Sequence, residues 1–267
     1  MNRETRTDEL HVIFGTGPLG RFTAEALLET GRRVRLVCRS GKMGSPPSGA
    51  EVVKADALDP GATGPLLAGA RTVYQCAQPP YHRWTEEFPP LQEAILAAAA
   101  RAGAVLVAAE NLYPYGNTGG RPMVESMPFN PCSRKGAVRA AMAEALQRAH
   151  DEGRVRTASV RGSDFFGPWE PVNGRMIFHA ALQGKPASTL GRLDQPHTFT
   201  YVKDFGRALA VAGTDDRALG RSRPRRRSSA HRPAPRSSGC SPPTSGRARR
   251  FRHPPAPDGP LPGPTRS

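Results

Sequence analysis

The sequence predicts an α/β protein built on a doubly wound parallel sheet. Three observations predict it. An apolar run, Val12-Ile13-Phe14, leads straight into Gly15-Thr16-Gly17-Pro18-Leu19-Gly20 and then into a helix-period stretch, Arg21 to Thr30, closed by Gly31. Short apolar runs then alternate with helical patterns, the signature of repeated βαβ units with right-handed crossovers. Finally, a long aperiodic stretch, residues 110–131, leaves the fifth of those runs, and open α/β sheets place their chemistry beyond the carboxyl ends of such strands.

Each element follows in order. Arg33 to Cys38 reads as the second strand, and Lys42 to Gly49 as a Gly/Ser/Pro loop. Glu51 to Ala55 is a third strand, closed by Asp56-Ala57-Leu58-Asp59, and Gly64 to Gly69 a short helix. Arg71 to Cys76 is a fourth strand, followed by Ala77-Gln78-Pro79-Pro80. Leu91 to Gly103 is an alanine-rich helix and Ala104 to Ala109 a fifth strand. Ser133 is placed to cap a helix from Arg134 to about Asp151, with Val138, Met142, Ala145, Leu146 and Ala149 as its apolar stripe. Val155 to Val160 is a sixth strand, running into a turn at 161–168. Arg175 to Gln183 is a helix, Thr198 to Val202 a short extended run, and Asp204 to Ala212 a last helix.

The glycine turn carries the first chemistry. Strand, G-x-G-x-x-G and helix in that order form a dinucleotide-binding fingerprint. Gly15 allows the sharp turn, Gly17 leaves the backbone open to a pyrophosphate, and Gly20 allows close packing of helix on strand. Thr16, Pro18 and Leu19 complete the loop, and the helix N-terminus offers N–H groups to the phosphates. The ribose-reading position lies about 20 residues further on. Arg39 and Ser40 stand there with no acid, which favours the 2′-phosphate of NADP over NAD, NAD staying open. Asp56, beside Ala57, is placed to accept from an adenine amino group or to cap the next helix. Ala77 and Gln78 complete the expected cofactor contacts.

Composition sets the class. The formal charge is +15 and only 37% of residues are hydrophobic, but both anomalies are local. Residues 221–267 hold 12 Arg, 11 Pro and 8 Ser, with no Lys, Val, Ile or Met and one acid. Residues 1–220 have 26 basic and 22 acidic residues. The four cysteines form no C-x-x-C, which argues against a disulfide framework or zinc site. The N-terminus lacks an apolar signal core and no run approaches membrane-spanning length, so a cytoplasmic protein without a membrane partner is expected.

As an ordered set, these motifs resemble the NAD-dependent epimerase/dehydratase family, in an atypical branch of the extended short-chain dehydrogenases. The set is Gly15-x-Gly-x-x-Gly20, Asp56, a Tyr-Gly after the fifth strand, Lys135-Gly136, Gly167-Pro168 and Tyr201-Val-Lys-Asp204. The usual G-x-x-G-x-x-G is altered, with Phe14 where the first glycine would stand. The resemblance implies a Rossmann-type domain over 9–165, a small and incomplete substrate lobe over 166–220, and hydride chemistry on nucleotide sugars or related small polar metabolites. In the family a Tyr of Tyr-x-x-x-Lys moves the proton. Lys135 matches the lysine, which holds the nicotinamide ribose, whereas Pro131 stands in place of the tyrosine. Asn111 matches the Ser or Thr that orients the substrate oxygen. The proton would then come from Tyr113 or Tyr115, each equally readable as packing. Cys132 and His197 are further candidates.

Two readings of residues 221–267 stand side by side. One is a disordered arm that binds nucleic acid or another polyanion by charge alone. The other is a shifted reading frame near residue 220, because the composition switches abruptly where the family's lobe would continue. Two functions from different classes likewise follow. One is an NAD(P)-dependent oxidoreductase or epimerase; the other is a non-catalytic NAD(P)-binding sensor, in keeping with Pro131.

Overall fold

The computed structural model describes residues 8–189 and 197–220, together with Arg249–Arg250. The readings of the tail as an arm or a shifted frame otherwise lie outside the described residues. The core is a six-stranded parallel sheet in the order β3-β2-β1-β4-β5-β6. Its strands are β1 (Leu10–Phe14), β2 (Arg33–Cys38), β3 (Ala50–Lys54), β4 (Ala70–Gln75), β5 (Val105–Asn111) and β6 (Thr157–Gly162). The order reverses at β1, the switch point at which a doubly wound sheet opens a ligand crevice.

Alternation along β1 shows how the layers form. Leu10, Val12 and Phe14 point to one face and join Ile95, Leu96, Leu146 and Ala149. These come from helices α3 (Trp84–Arg101) and α4 (Arg134–Asp151). Ile13 points the other way, to Ala24, Leu27, Phe205 and Leu209, on α1 (Pro18–Leu28) and α6 (Val202–Ala212). Period-two alternation in a strand covered on both faces demands apolar residues at nearly every position. The short α2 (Pro60–Leu67) joins the first layer through Leu67. Among the described residues no helix is long and apolar enough to cross a membrane.

Three elements depart from the sequence reading. Helix α3 starts at Trp84, not Leu91, despite Pro89 and Pro90 inside it. Proline disfavours a helix interior, but Trp84, Phe88, Gln92 and Ile95 fall on one buried face and tertiary packing prevails. Within the 161–168 turn lies a short strand, β7 (Asp164–Phe166). It pairs in parallel with β9 (Phe199–Tyr201). The helix predicted at 175–183 is a π-helical stretch, Gly174–His179, that continues into α5 (Ala180–Leu182). It is followed by β8 (Ser188–Thr189).

One buried polar pair predicts acid sensitivity. His11 in β1 is 0% exposed, and its Nδ1 lies 3.0 Å from the Tyr74 hydroxyl. Burial first, then Arg32 and Arg71, push the imidazole from 6.5 down to about 3. The unfolded chain therefore binds one more proton between those two values. This contribution is complete above pH 6.5 and is lost as pH falls toward 3. Urea unfolding across that window is expected to show a stability slope of up to about 1.4 kcal/mol per pH unit from this group. H11Q is expected to flatten the slope by that amount, and an unchanged slope would refute the assignment.

Candidate dinucleotide and substrate site

The glycine turn is sterically closed on the protein side and open on the other. Gly15 has φ +112° and donates its N–H to Val37 O at 2.9 Å. A Cβ there would sit 2.7 Å from the Ala77 nitrogen and 2.8 Å from the Cys76 carbonyl carbon. A Cβ on Gly20 would run into the Gly15 carbonyl oxygen. At Gly17, by contrast, a Cβ would meet nothing within 4 Å. Gly17 is the N-cap of α1 with no side-chain cap, and Pro18 follows it at the first helical position. The N–H groups of Leu19 and Gly20 have no acceptor within their own helix, as at any helix start. An uncapped helix end beside an open backbone suits a pyrophosphate, so these residues fit a bound dinucleotide.

Around this cradle stand the residues expected to read the adenosine half. Arg39 and Ser40 are exposed just past β2. The Ser40 hydroxyl lies 3.4 Å from the Cys38 thiol and donates to the Lys42 carbonyl at 3.2 Å. Burial raises the Cys38 thiol, but the Ser40 and Thr16 hydroxyls and nearby backbone outweigh it, so the net shift is downward. Asp56 is exposed and its Oδ1 accepts from Leu58 N at 3.0 Å. The capping alternative for Asp56 is corrected, because α2 is capped by Asp59, which accepts from Gly61 N and Ala62 N at 2.9 and 3.2 Å. A carboxylate must immediately precede the first helical residue to reach those donors. Ala57 is buried, Ala77 lies against Gly15, and Gln78 is exposed beyond it.

An arginine not anticipated from the sequence links three segments at the turn. Arg21, on the first turn of α1, donates to Ser45 O at 2.6 Å and places its guanidinium 4.7 Å from the Trp169 ring centroid. Ser45 and Trp169 have φ of 49° and 64°, the positive-φ non-glycine positions among the described residues.

The other end of the crevice is formed where β4 and β5 meet the start of α4. Ser133 caps α4 as predicted, accepting from Gly136 N at 3.0 Å, and this sets Lys135 on the first turn. Lys135 Nζ lies 3.4 Å from the centroid of the Tyr81 ring. The Tyr81 hydroxyl lies 3.5 Å from that of Tyr113. Burial and the Tyr81 hydroxyl push the Tyr113 phenol upward, and Asp164 adds to this. Asn111 ends β5, and its Oδ1 accepts from Tyr113 N at 3.2 Å. Tyr115 is 4% exposed and packs edge-on against Phe129. Beneath them Glu110 and Arg161 form a buried ion pair at 2.8 Å. Cys132 is exposed. His197 Nε2 lies 2.9 Å from Asp164 Oδ2, both about half exposed.

Lys135, Tyr113 and Asn111 are thus brought to one end of the sheet, while Tyr115 faces the interior. Tyr81 was missed by sequence reasoning. It sits after Pro79-Pro80, where the fourth strand ends, and an aromatic on a loop leaving the carboxyl end of a parallel strand was the available signal.

A model of the NAD dependent epimerase/dehydratase family matches residues 12–223. No curated protein sequence matches the chain. Solved structures are similar at low identity. A UDP-N-acetylglucosamine 4-epimerase from Methanobrevibacter ruminantium, in complex with UDP-N-acetylmuramic acid, is 21% identical with a TM-score of 0.69, over 78% of this chain and 74% of that one. A dTDP-glucose 4,6-dehydratase, DesIV from Streptomyces venezuelae, solved with NAD, is 18% identical with a TM-score of 0.68, over 80% and 74%. The UDP-glucose 4-epimerase of Thermotoga maritima, solved with UDP-glucose, is 17% identical with a TM-score of 0.65, over 76% and 72%.

Proposed function

The chain belongs to the NAD dependent epimerase/dehydratase family, and from that premise we propose that it is an NAD(P)-dependent oxidoreductase or epimerase acting on a nucleotide sugar or a related small polar metabolite. The observation that carries this reading is the pairing of an open glycine cradle with Lys135 and Asn111 at the carboxyl ends of one parallel sheet. A nicotinamide dinucleotide bound along that crevice supplies hydride chemistry at one carbon of a sugar. Gly15, Gly17 and Gly20 receive the pyrophosphate against the α1 N-terminus. Lys135 holds the nicotinamide ribose, and Asn111 orients the substrate oxygen by hydrogen bonding. Strands β7 and β9 form part of the substrate side.

Arg39 and Ser40 select NADP in this reading, since a guanidinium pairs with a 2′-phosphate and no acid stands there to accept from a 2′-hydroxyl. Fluorescence titration of the full chain with NADPH and NADH tests it. NADPH is expected to bind at least about tenfold more tightly, and R39D to abolish that preference. Equal affinity for the two cofactors would remove the NADP assignment and leave the cradle standing.

Pro131 favours a second reading, a non-catalytic NAD(P)-binding sensor. Hydride transfer measured with UDP-glucose, UDP-N-acetylglucosamine and dTDP-glucose separates the two. Nicotinamide reduction or conversion of any of these sugars supports the enzyme, whereas tight binding without either supports the sensor.

A further inference from the structure

We propose that Tyr81 carries the proton in this site, in the position of function that Pro131 leaves empty. The inference rests on the oxidoreductase reading above and names its acid–base group. Lys135, the lysine of the family's Tyr-x-x-x-Lys, does not face a residue of its own helix. Its ammonium lies over the Tyr81 ring at 3.4 Å, well within the range of a cation–π contact. A tyrosine and this lysine are therefore adjacent after all, with the tyrosine supplied by the loop after β4.

The surroundings favour Tyr81 over the other phenols. Tyr81 is 55% exposed, against 36% for Tyr113 and 4% for Tyr115. Its ring is steadied edge-on by Trp84 at 5.0 Å, and the Trp84 indole is itself pinned by a hydrogen bond to Pro79 O at 3.1 Å. Tyr113 sits 3.5 Å away, hydroxyl to hydroxyl. Burial, the Tyr81 hydroxyl and the Asp164 carboxylate all disfavour ionisation of Tyr113, and either hydroxyl can donate to the other. Tyr115 is turned inward against Phe129.

The step balances as one proton and one hydride. In the reductive direction the Oη–H bond of Tyr81 breaks and an O–H bond forms on the substrate carbonyl oxygen. The adjoining carbon gains a hydride whose source is a reduced nicotinamide dinucleotide, and the carbonyl becomes an alcohol. The phenolate left on Tyr81 accepts the hydrogen bond of Tyr113, and the Lys135 ammonium held over its ring offsets the charge through space. In the oxidative direction the alcohol proton returns to Tyr81.

The test compares wild type, Y81F and K135M as full-length protein loaded with NAD(P). Cofactor affinity, and nicotinamide reduction and sugar conversion with UDP-glucose, UDP-N-acetylglucosamine and dTDP-glucose, are measured on each. Y81F is expected to keep cofactor affinity within about threefold and to lose about 10²-fold or more in kcat. K135M is expected to lose cofactor affinity and kcat together, because Lys135 also holds the nicotinamide ribose. Turnover of Y81F within about threefold of an active wild type overturns the proposal and leaves the oxidoreductase reading standing. If wild type binds cofactor but neither reduces it nor converts a sugar, the oxidoreductase reading fails and the proposal fails with it.

Discussion

G17V is expected to bind NAD(P) at least about 10²-fold more weakly than wild type, a loss of about 2.7 kcal/mol, while its melting temperature stays unchanged. Both halves follow from one position. Gly17 has φ −73° and ψ −175°, an extended conformation open to any residue. A Cβ there meets nothing within 4 Å in the protein, so the folded chain tolerates a branched side chain. The space it would occupy lies over the open N-terminus of α1, where a pyrophosphate oxygen must approach the backbone. Calorimetric melting with and without cofactor checks the result. Wild type is expected to gain stability on adding cofactor, by mass action, and G17V to gain none. Undiminished cofactor binding by G17V would place the pyrophosphate elsewhere.

G20A, only three residues on, is expected to lose both stability and binding. Its Cβ would overlap the Gly15 carbonyl oxygen and touch the Ile13 side chain at 3.4 Å. The carbonyl belongs to backbone whose own N–H is tied to Val37 at the switch point of the sheet, so relief requires moving α1 off β1. Overpacking of this kind costs about 3 kcal/mol, which for a domain of this size lowers the melting temperature by about 6–12 °C. Alanine's better helix propensity returns only about 1 kcal/mol. Cofactor binding falls as well, because the displaced helix start no longer aims its N–H groups at the cradle. A thermal melt indistinguishable from wild type would refute the packing argument. Together the two variants separate a glycine required by the ligand from one required by the fold.

Much of the sheet was legible because its strands are buried on both faces. Arg33–Cys38 was read with its observed limits, and β1, β3, β4, β5 and β6 within a few residues. Helix α4 was legible from its cap, since Ser133 sits one residue before the helical pattern and reaches Gly136 N. The misreadings share a cause. Pro89 and Pro90 carry a strong local signal against helix, and only the buried face of Trp84, Phe88 and Gln92 reverses it. Strand β7 is three residues long and exists because β9, far along the chain, lies beside it.

The candidate site divides along the same line. Its cofactor end is local, since strand, glycine turn and helix are contiguous and the steric demands on Gly15, Gly17 and Gly20 arise within that turn and its immediate support. The sequence by itself therefore determined the cradle, and with the matching motifs it determined the family. It also determined that Pro131 cannot carry a proton, because proline has no titratable side chain. Which residue stands beside Lys135 was decided only by tertiary structure. Tyr81, Tyr113 and Lys135 belong to three segments, and they meet because the order β1-β4-β5 sets the carboxyl ends of β4 and β5 side by side under the start of α4. A contact between segments distant in the chain leaves no period or spacing in the sequence, since it is made by the packing of whole elements.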